Sequence, residues 1–412
     1  MPSPEALDRY AELIAVHGLN VQPDQIVNIS TEPIHRDFAL LIAEKCYARG
    51  AKAVALDLAD SRATLLRVTR SNDLEYVPAH VQARYDELVD AQAANLKLLG
   101  MEDPDVFEGV DAQRLNTLFT HQRRAMKRFY EEGVGRSQAH WSVVAAATPK
   151  WGQKVFPGEA PEVACERLWA AILSACRADR PDCLALWKAH NAKLHARAKK
   201  LTEMGIDSLH FRGPGTDLTV GLTERAIFKG GQERSTRGKW FEPNLPTEEV
   251  FTTPDFRRTQ GVVRTTRPFM IHGQSVEGLR AEFENGVLTK FSADRGAKTF
   301  EAYIDTDEGA RRLGEVALVG VDSPIFRSGL IFHEILFDEN AACHIAIGMA
   351  YKFCIRDGEA MNNEEAAACG CNESAVHTDM MISSEQVDVD AVLRAGQNVP
   401  LIKSGRWCAD FE

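Results

Sequence analysis

His377 and Asp379 stand two apart in the run AVHTDMMI (375–382), which has the β-branched and apolar character of a strand. A strand sends residues i and i+2 to one face, so one imidazole and one carboxylate would point together. Val376, Thr378 and Met380 would then occupy the other face. Upstream, DENAACHIAIGMAY (338–351) supplies a second imidazole, His344, with Glu339 as a nearby carboxylate. Imidazole mixed with hard oxygen donors, and no thiolate, suits Zn, Co, Mn or Mg better than a sulfur-bound structural zinc. The bland alternative is a hydrogen-bonded core histidine beside an unrelated acid.

Two more places put carboxylates in apolar surroundings. Glu248 and Glu249 are adjacent in NLPTEEVFTTPD (244–255), where Pro246 and the flanking hydroxyls suggest a loop leading into a strand. Glu315 lies between Leu313-Gly314 and the apolar run Val316–Val319. A buried acid in such a setting is expensive unless it is salt-bridged or metal-bound. HEIL (333–336) opens like the zinc motif HExxH, but its fifth residue is Phe337, so that motif is absent. Cys343 beside His344 reads as a small buried thiol rather than a nucleophile, and Cys369-Gly-Cys371 reads as a loop.

The elements that would carry these residues fall into two textures. Through about residue 204, helical spacing alternates with short buried strands. Residues 5–17 have Leu7, Tyr10, Leu13 and Ile14 on one helical face, closed by Gly18. Gln25–Ile29 and Ala51–Leu58 are strands flanking a helix over His35–Arg49, a βαβ unit that implies a parallel sheet. No GxGxxG follows the first strand, which argues against a dinucleotide site. The pattern predicts helices over Pro78–Leu99, Asp111–Glu132, Glu162–Cys176 and Asp182–Met204, a strand over Trp141–Ala147, and a turn-rich connection over Pro149–Gly158. From Asp207 short strands and turns take over, with Glu284–Gly286 (ENG) as a hairpin signal and a helix over Thr306–Leu313 before Glu315. The domain boundary is therefore expected near residue 205, giving 1–204 and 205–412.

Composition narrows the class. The chain has 412 residues, 44% hydrophobic and 26% charged, as expected of a globular protein with two cores. A net charge of −11 without a Lys/Arg cluster interleaved with aromatics argues against nucleic-acid binding. The basic run Lys193–Lys200 fits the solvated face of a helix. No apolar run is long enough to span a membrane, and the N-terminus lacks the pattern of a secretory signal. Nine cysteines without framework spacing fit reduced thiols in the cytoplasm.

Four phrases, NLPTEEVFT, TDEGARRLGEVALV, LFDENAACHIAIGMAY and ESAVHTDMMI, together resemble the signatures of the thermophilic metalloaminopeptidase family that includes aminopeptidases T, S and PepS. GPGTDLTVGL (213–222) and ELIAVHGLNVQPDQIV (12–27) extend the resemblance over nearly the whole chain. It implies an α/β N-terminal domain with a mainly parallel sheet. It also implies an α+β C-terminal domain whose barrel-like antiparallel sheet carries the metal site. Two divalent ions would be ligated by Glu249, Glu315, His344, His377 and Asp379, with Glu315 as the bridge and Glu339 at or next to a metal. Tyr351 matches the family's active-site tyrosine, a donor to the oxyanion of the tetrahedral intermediate. The implied activity is release of N-terminal residues from peptides by metal-activated water, in a homodimer enclosing its active sites. Met380 and His333 depart from the aromatic and the tyrosine that the pattern leads one to expect. A rival chemistry uses His344, His377 and Asp379 alone, the two-His-one-carboxylate set of mononuclear non-haem Fe(II) dioxygenases. That rival does not need Glu249 and Glu315 as carboxylates. A catalytically silent binding protein is the third reading.

Overall fold

The computed structural model describes residues 2–411. The chain divides into two compact units. One comprises the N-terminal segment through Val110, Thr117–Asn191 and Gly231–Thr247; the other comprises Asp111–Asn116, Ala192–Gly230 and everything from Glu248 onward.

The first unit is built on a parallel sheet of β1 (Ile26–Thr31), β2 (Ala53–Leu58), β3 (Ala94–Leu99) and β4 (His140–Ala145), in the order β2-β1-β3-β4. Helix α1 (Pro4–Leu13) starts where the Ser3 side chain accepts from the Ala6 amide and proline takes the first turn. It buries Tyr10, Ala11 and Leu13. Helix α2 (Arg36–Ala48) links β1 to β2 and buries Phe38, Ile42 and Cys46, so the expected βαβ unit is present. Helices α3 (Ser61–Arg70), α4 (Ala79–Asp90), α5 (Ala112–Ala125), α6 (Pro149–Val155), α7 (Pro161–Ala175) and α8 (Cys183–Glu203) follow in order.

Two expectations fail here. The helix expected over Pro78–Leu99 ends at Asp90, and Ala94–Leu99 is β3, hydrogen-bonded between β1 and β4. Its leucines are good helix formers, but burying Ala94, Leu96 and Leu98 in the middle of a sheet outweighs that preference. The connection expected over Pro149–Gly158 contains α6, whose signals are an N-cap at Thr148 and proline at its first position.

In the second unit the strands are antiparallel. An eight-stranded sheet runs β14-β13-β10-β6-β5-β18-β19-β20 among the described residues. It uses β5 (Ile206–Gly213), β6 (Thr216–Leu222), β10 (Pro254–Arg264), β13 (Arg280–Glu284), β14 (Val287–Ser292), β18 (Asp388–Leu393), β19 (Asn398–Lys403) and β20 (Arg406–Trp407). The ENG hairpin joins β13 to β14 as expected. Two-stranded pairs are made by β7 (Glu233–Arg234) with β8 (Trp240–Phe241), in the first unit, and by β11 (Phe269–Ile271) with β12 (Gln274–Val276). A separate four-stranded sheet has the order β17-β16-β15-β9, from β9 (Val250–Thr252), β15 (Leu313–Leu318), β16 (His344–Gly348) and β17 (His377–Met381). The fold is thus mixed α/β, with one parallel sheet and separate antiparallel sheets. The pairings run in open order, so the barrel-like closure goes further than they do.

The helix expected over Thr306–Leu313 instead occupies Ala297–Ile304 (α9), followed by a single 3-10 turn at Glu308–Arg311. Among the described residues no helix is long and apolar enough to cross a membrane, and none of the nine cysteines is in a disulfide.

Candidate metal centre

Register and a bulge aim the ionisable residues at one point. Across the small sheet Glu315 pairs with Ala346, and Ala346 pairs with Asp379, so the three share one rung and one face. His344 is two residues before Ala346 and His377 two before Asp379, which puts both imidazoles on that face as well. The pairing slips by one residue between Leu313 and Glu315, and this bulge decides which way Glu315 points. Gly314 sits in the slip, where an added Cβ would lie 2.3 Å from the Met349 carbonyl oxygen. Behind the shared face Val316, Ile345, Ile347 and Met380 pack into the apolar core of the unit.

The resulting cluster is buried and crowded. Glu249, Glu315, Glu339, His344 and Asp379 are all buried, and His377 is half-buried. His344 Nε2 lies 3.0 Å from Glu249 Oε2, 3.6 Å from Glu315 Oε1 and 4.0 Å from Asp379 Oδ1. His377 Nε2 lies 3.7 Å from Glu315 Oε2 and 3.8 Å from Asp379 Oδ1. Donor atoms sharing one tetrahedral ion at about 2.1 Å are about 3.4 Å apart, the middle of this range. Two groups emerge whose ligand atoms all lie within 4.8 Å of one another: Glu249, Glu315 and His344, and Glu315, His377 and Asp379. Glu315 belongs to both, through a different oxygen to each imidazole.

The tautomers suit a cation. His344 Nδ1 is 3.1 Å from the Ala342 carbonyl and His377 Nδ1 is 2.8 Å from the Met349 carbonyl. A carbonyl only accepts, so Nδ1 is the donor in each ring and Nε2 is the atom turned towards the carboxylates, where it could ligate an ion. Glu249 Oε2, although close to His344 Nε2, is a buried oxygen without an aligned hydrogen bond. Potential ligand atoms that converge in a buried site fit a bound divalent ion.

Electrostatics point the same way. Burial, followed by the facing carboxylates of Glu249 and Asp379 and against the pull of His344, pushes the Glu315 carboxyl up to about 7. Burial and then Asp379 and Glu249 push Glu339 well above the usual carboxylate range. Burial opposes charge on His344, but Glu249 and Glu315 outweigh it and hold the imidazolium well above its usual range. A metal ion must therefore displace protons. Metal affinity is expected to rise with pH between 6 and 8, by about tenfold per pH unit for each proton released. Calorimetry in buffers of different ionisation enthalpy measures that release, and a pH-independent affinity with no protons released would refute it.

Of the residues singled out in the sequence, five fall in the two groups. Glu339 is beside them but in neither. Its Oε1 accepts at 3.3 Å from the Asn340 side-chain amide. Tyr351 borders the cluster, its ring 5.2 Å from that of His377 and stacked 5.0 Å from Phe353. It does not share a helix with His344, because His344–Gly348 is a strand and Tyr351 precedes a short 3-10 turn. Thr253 donates to its main-chain carbonyl at 2.8 Å. The supporting residues Asn340 and Tyr303 were missed in the sequence. Asn340 sits within the DENAA phrase, and Tyr303 carries no sequence signal.

Comparison with known proteins agrees across the chain. The model of a family described as thermophilic metalloprotease (M29) matches residues 3–407. Aminopeptidase T of Thermus aquaticus is 44% identical over 407 residues, covering 98% of each chain. Aminopeptidase PepS of Streptococcus thermophilus is 37% identical over 406 residues, again covering 98% of each. The solved structure of wild-type AmpT from Thermus thermophilus superposes with a TM-score of 0.88 at 40% identity, covering 98% of this chain and 99% of that one.

Proposed function

We infer the chemistry of this centre from a plain premise: the chain belongs to the thermophilic metalloprotease (M29) family. It is a metal-dependent aminopeptidase, a hydrolase that acts at the N-terminus of peptides. The finer reading is that Glu249, Glu315 and His344 hold one divalent ion and Glu315, His377 and Asp379 a second, with Glu339 at or beside them. The observation that carries it is the pair of ligand groups joined through the two oxygens of Glu315. Zn, Co, Mn and Mg all suit the donor set.

Bound divalent ions supply Lewis-acid polarisation of the scissile carbonyl and a nucleophilic water at neutral pH. The chain does the rest. Main-chain carbonyls of Ala342 and Met349 hold both imidazoles in the ligating tautomer. The three ligand carboxylates Glu249, Glu315 and Asp379 would offset most of the 4+ of two divalent ions, leaving an electrophilic centre that could also take the free α-amine of a peptide N-terminus, which supports exopeptidase rather than endopeptidase action. Tyr351, beside His377, donates its hydroxyl to the oxyanion that develops as the carbonyl is attacked. Residues 1–204 serve as scaffold and 205–412 carry the centre, in a cytoplasmic homodimer acting on peptides. Family resemblance supports the dimer, and nine cysteines without a disulfide support the compartment.

Metal content per chain, measured with hydrolysis of Leu-p-nitroanilide under nitrogen, tests the reading. The expected result is two ions per chain and activity that rises until both sites fill. One ion per chain, or turnover that requires dioxygen, would overturn it in favour of a mononuclear oxygenase-type centre.

A further inference from the structure

The two ligand groups are held from behind by different residues. Asn340 is completely buried and ties together the segments that carry two of the carboxylates. Its Oδ1 accepts from the Glu248 main-chain N–H at 2.7 Å, immediately before Glu249. Its Nδ2 donates to the Leu336 carbonyl at 2.9 Å and to Glu339 Oε1 at 3.3 Å. A backbone N–H needs an acceptor and a carbonyl needs a donor, so these partners force the amide's orientation. Ser323 in turn donates to the Asn340 carbonyl at 2.6 Å. Asn340 therefore sets where Glu249 leaves its loop and where the Glu339 carboxylate lies.

The opposite group has an anchor of another kind. The Tyr303 hydroxyl donates to the His377 carbonyl at 2.9 Å and accepts from the His377 N–H at 3.1 Å. One phenol thus grips both main-chain polar groups of a single candidate ligand, from a residue only 5% exposed.

We propose that Asn340 and Tyr303 are positioning residues that tune the two metal sites separately, Asn340 the Glu249–Glu315–His344 site and Tyr303 the Glu315–His377–Asp379 site. The proposal rests on the two-ion reading above. Side chains that orient ligands from behind typically change metal affinity by about 10–100-fold.

The test is calorimetric titration of the metal-free full-length chain with Co(II), alongside its thermal melting. Wild type should show two binding steps, and Glu249→Gln identifies one of them by removing it. Asn340→Ala is expected to weaken that same step by about 10–100-fold, and Tyr303→Phe to weaken the other by a similar factor. Should Asn340→Ala not fold, Asn340→Asp keeps the acceptor for Glu248 N–H and loses the donor to Glu339 and to the Leu336 carbonyl, so the same step should weaken. Tyr303→Phe, which removes one hydroxyl, tests the second site independently. A merely structural role would lower the melting temperature and leave both affinities alone, or depress both together; either result in folded variants overturns the proposal while leaving the two-ion reading intact. A single binding step in wild type would overturn the two-ion reading and this proposal with it.

Discussion

Glu315→Gln is expected to keep the fold and to lose turnover by at least about a hundredfold. Glu315 presents Oε1 to His344 and Oε2 to His377, and a carboxylate can serve a cation through either oxygen. Glutamine preserves the shape but turns one of those oxygens into an NH₂ group, which cannot ligate. The substitution should not cost stability in the metal-free protein, because it removes one charge from a buried cluster in which burial, then Glu249 and Asp379, already disfavour ionisation of Glu315. Thermal melting and kinetics on one sample separate the alternatives. A Glu315 that matters only as a salt-bridge partner would show the opposite pattern: a lowered melting temperature with near-normal turnover.

Tyr351→Phe is expected to lower kcat by about 10²–10³, or about 2.7–4 kcal/mol, as for loss of other oxyanion donors. KM should change little, because the hydroxyl is called on mainly in the transition state. Packing should survive: the ring stacks on Phe353, lies 6.3 Å from Phe251, and its backbone is held by Thr253, none of which needs the hydroxyl. Metal content should be unchanged, since Tyr351 is in neither ligand group. A Phe variant with the wild-type kcat would return Tyr351 to a packing role.

Much of the architecture was legible because its signals are local. The βαβ unit, α7, α8 and the ENG hairpin each follow from periodicity and a nearby proline, glycine or asparagine. The His377–Asp379 pair was legible for the same reason, since strand alternation alone puts both on one face. The misread segments lacked a decisive local signal. Ala94–Leu99 has helix-forming residues and becomes a strand because β1 and β4 flank it. The helix placed over Thr306–Leu313 lies earlier, and the chain there makes only the short turn that delivers Glu315 to β15.

Residue type and short-range spacing, by themselves, determined which chemistry this protein could hold: oxygen and imidazole donors without thiolate, on strands whose period is two. They also marked the family, because whole phrases and not single residues recur. Tertiary structure alone decided that Glu249, Glu315, His344, His377 and Asp379 meet. That meeting depends on the pairing of β15, β16 and β17 and on a one-residue slip at Gly314 that turns Glu315 to the shared face. Strand register is a long-range property, set by which segments pair and where a bulge falls, and no window of sequence contains both partners. The same holds for Asn340 and Tyr303, whose partners Glu248 and His377 lie far away in the chain.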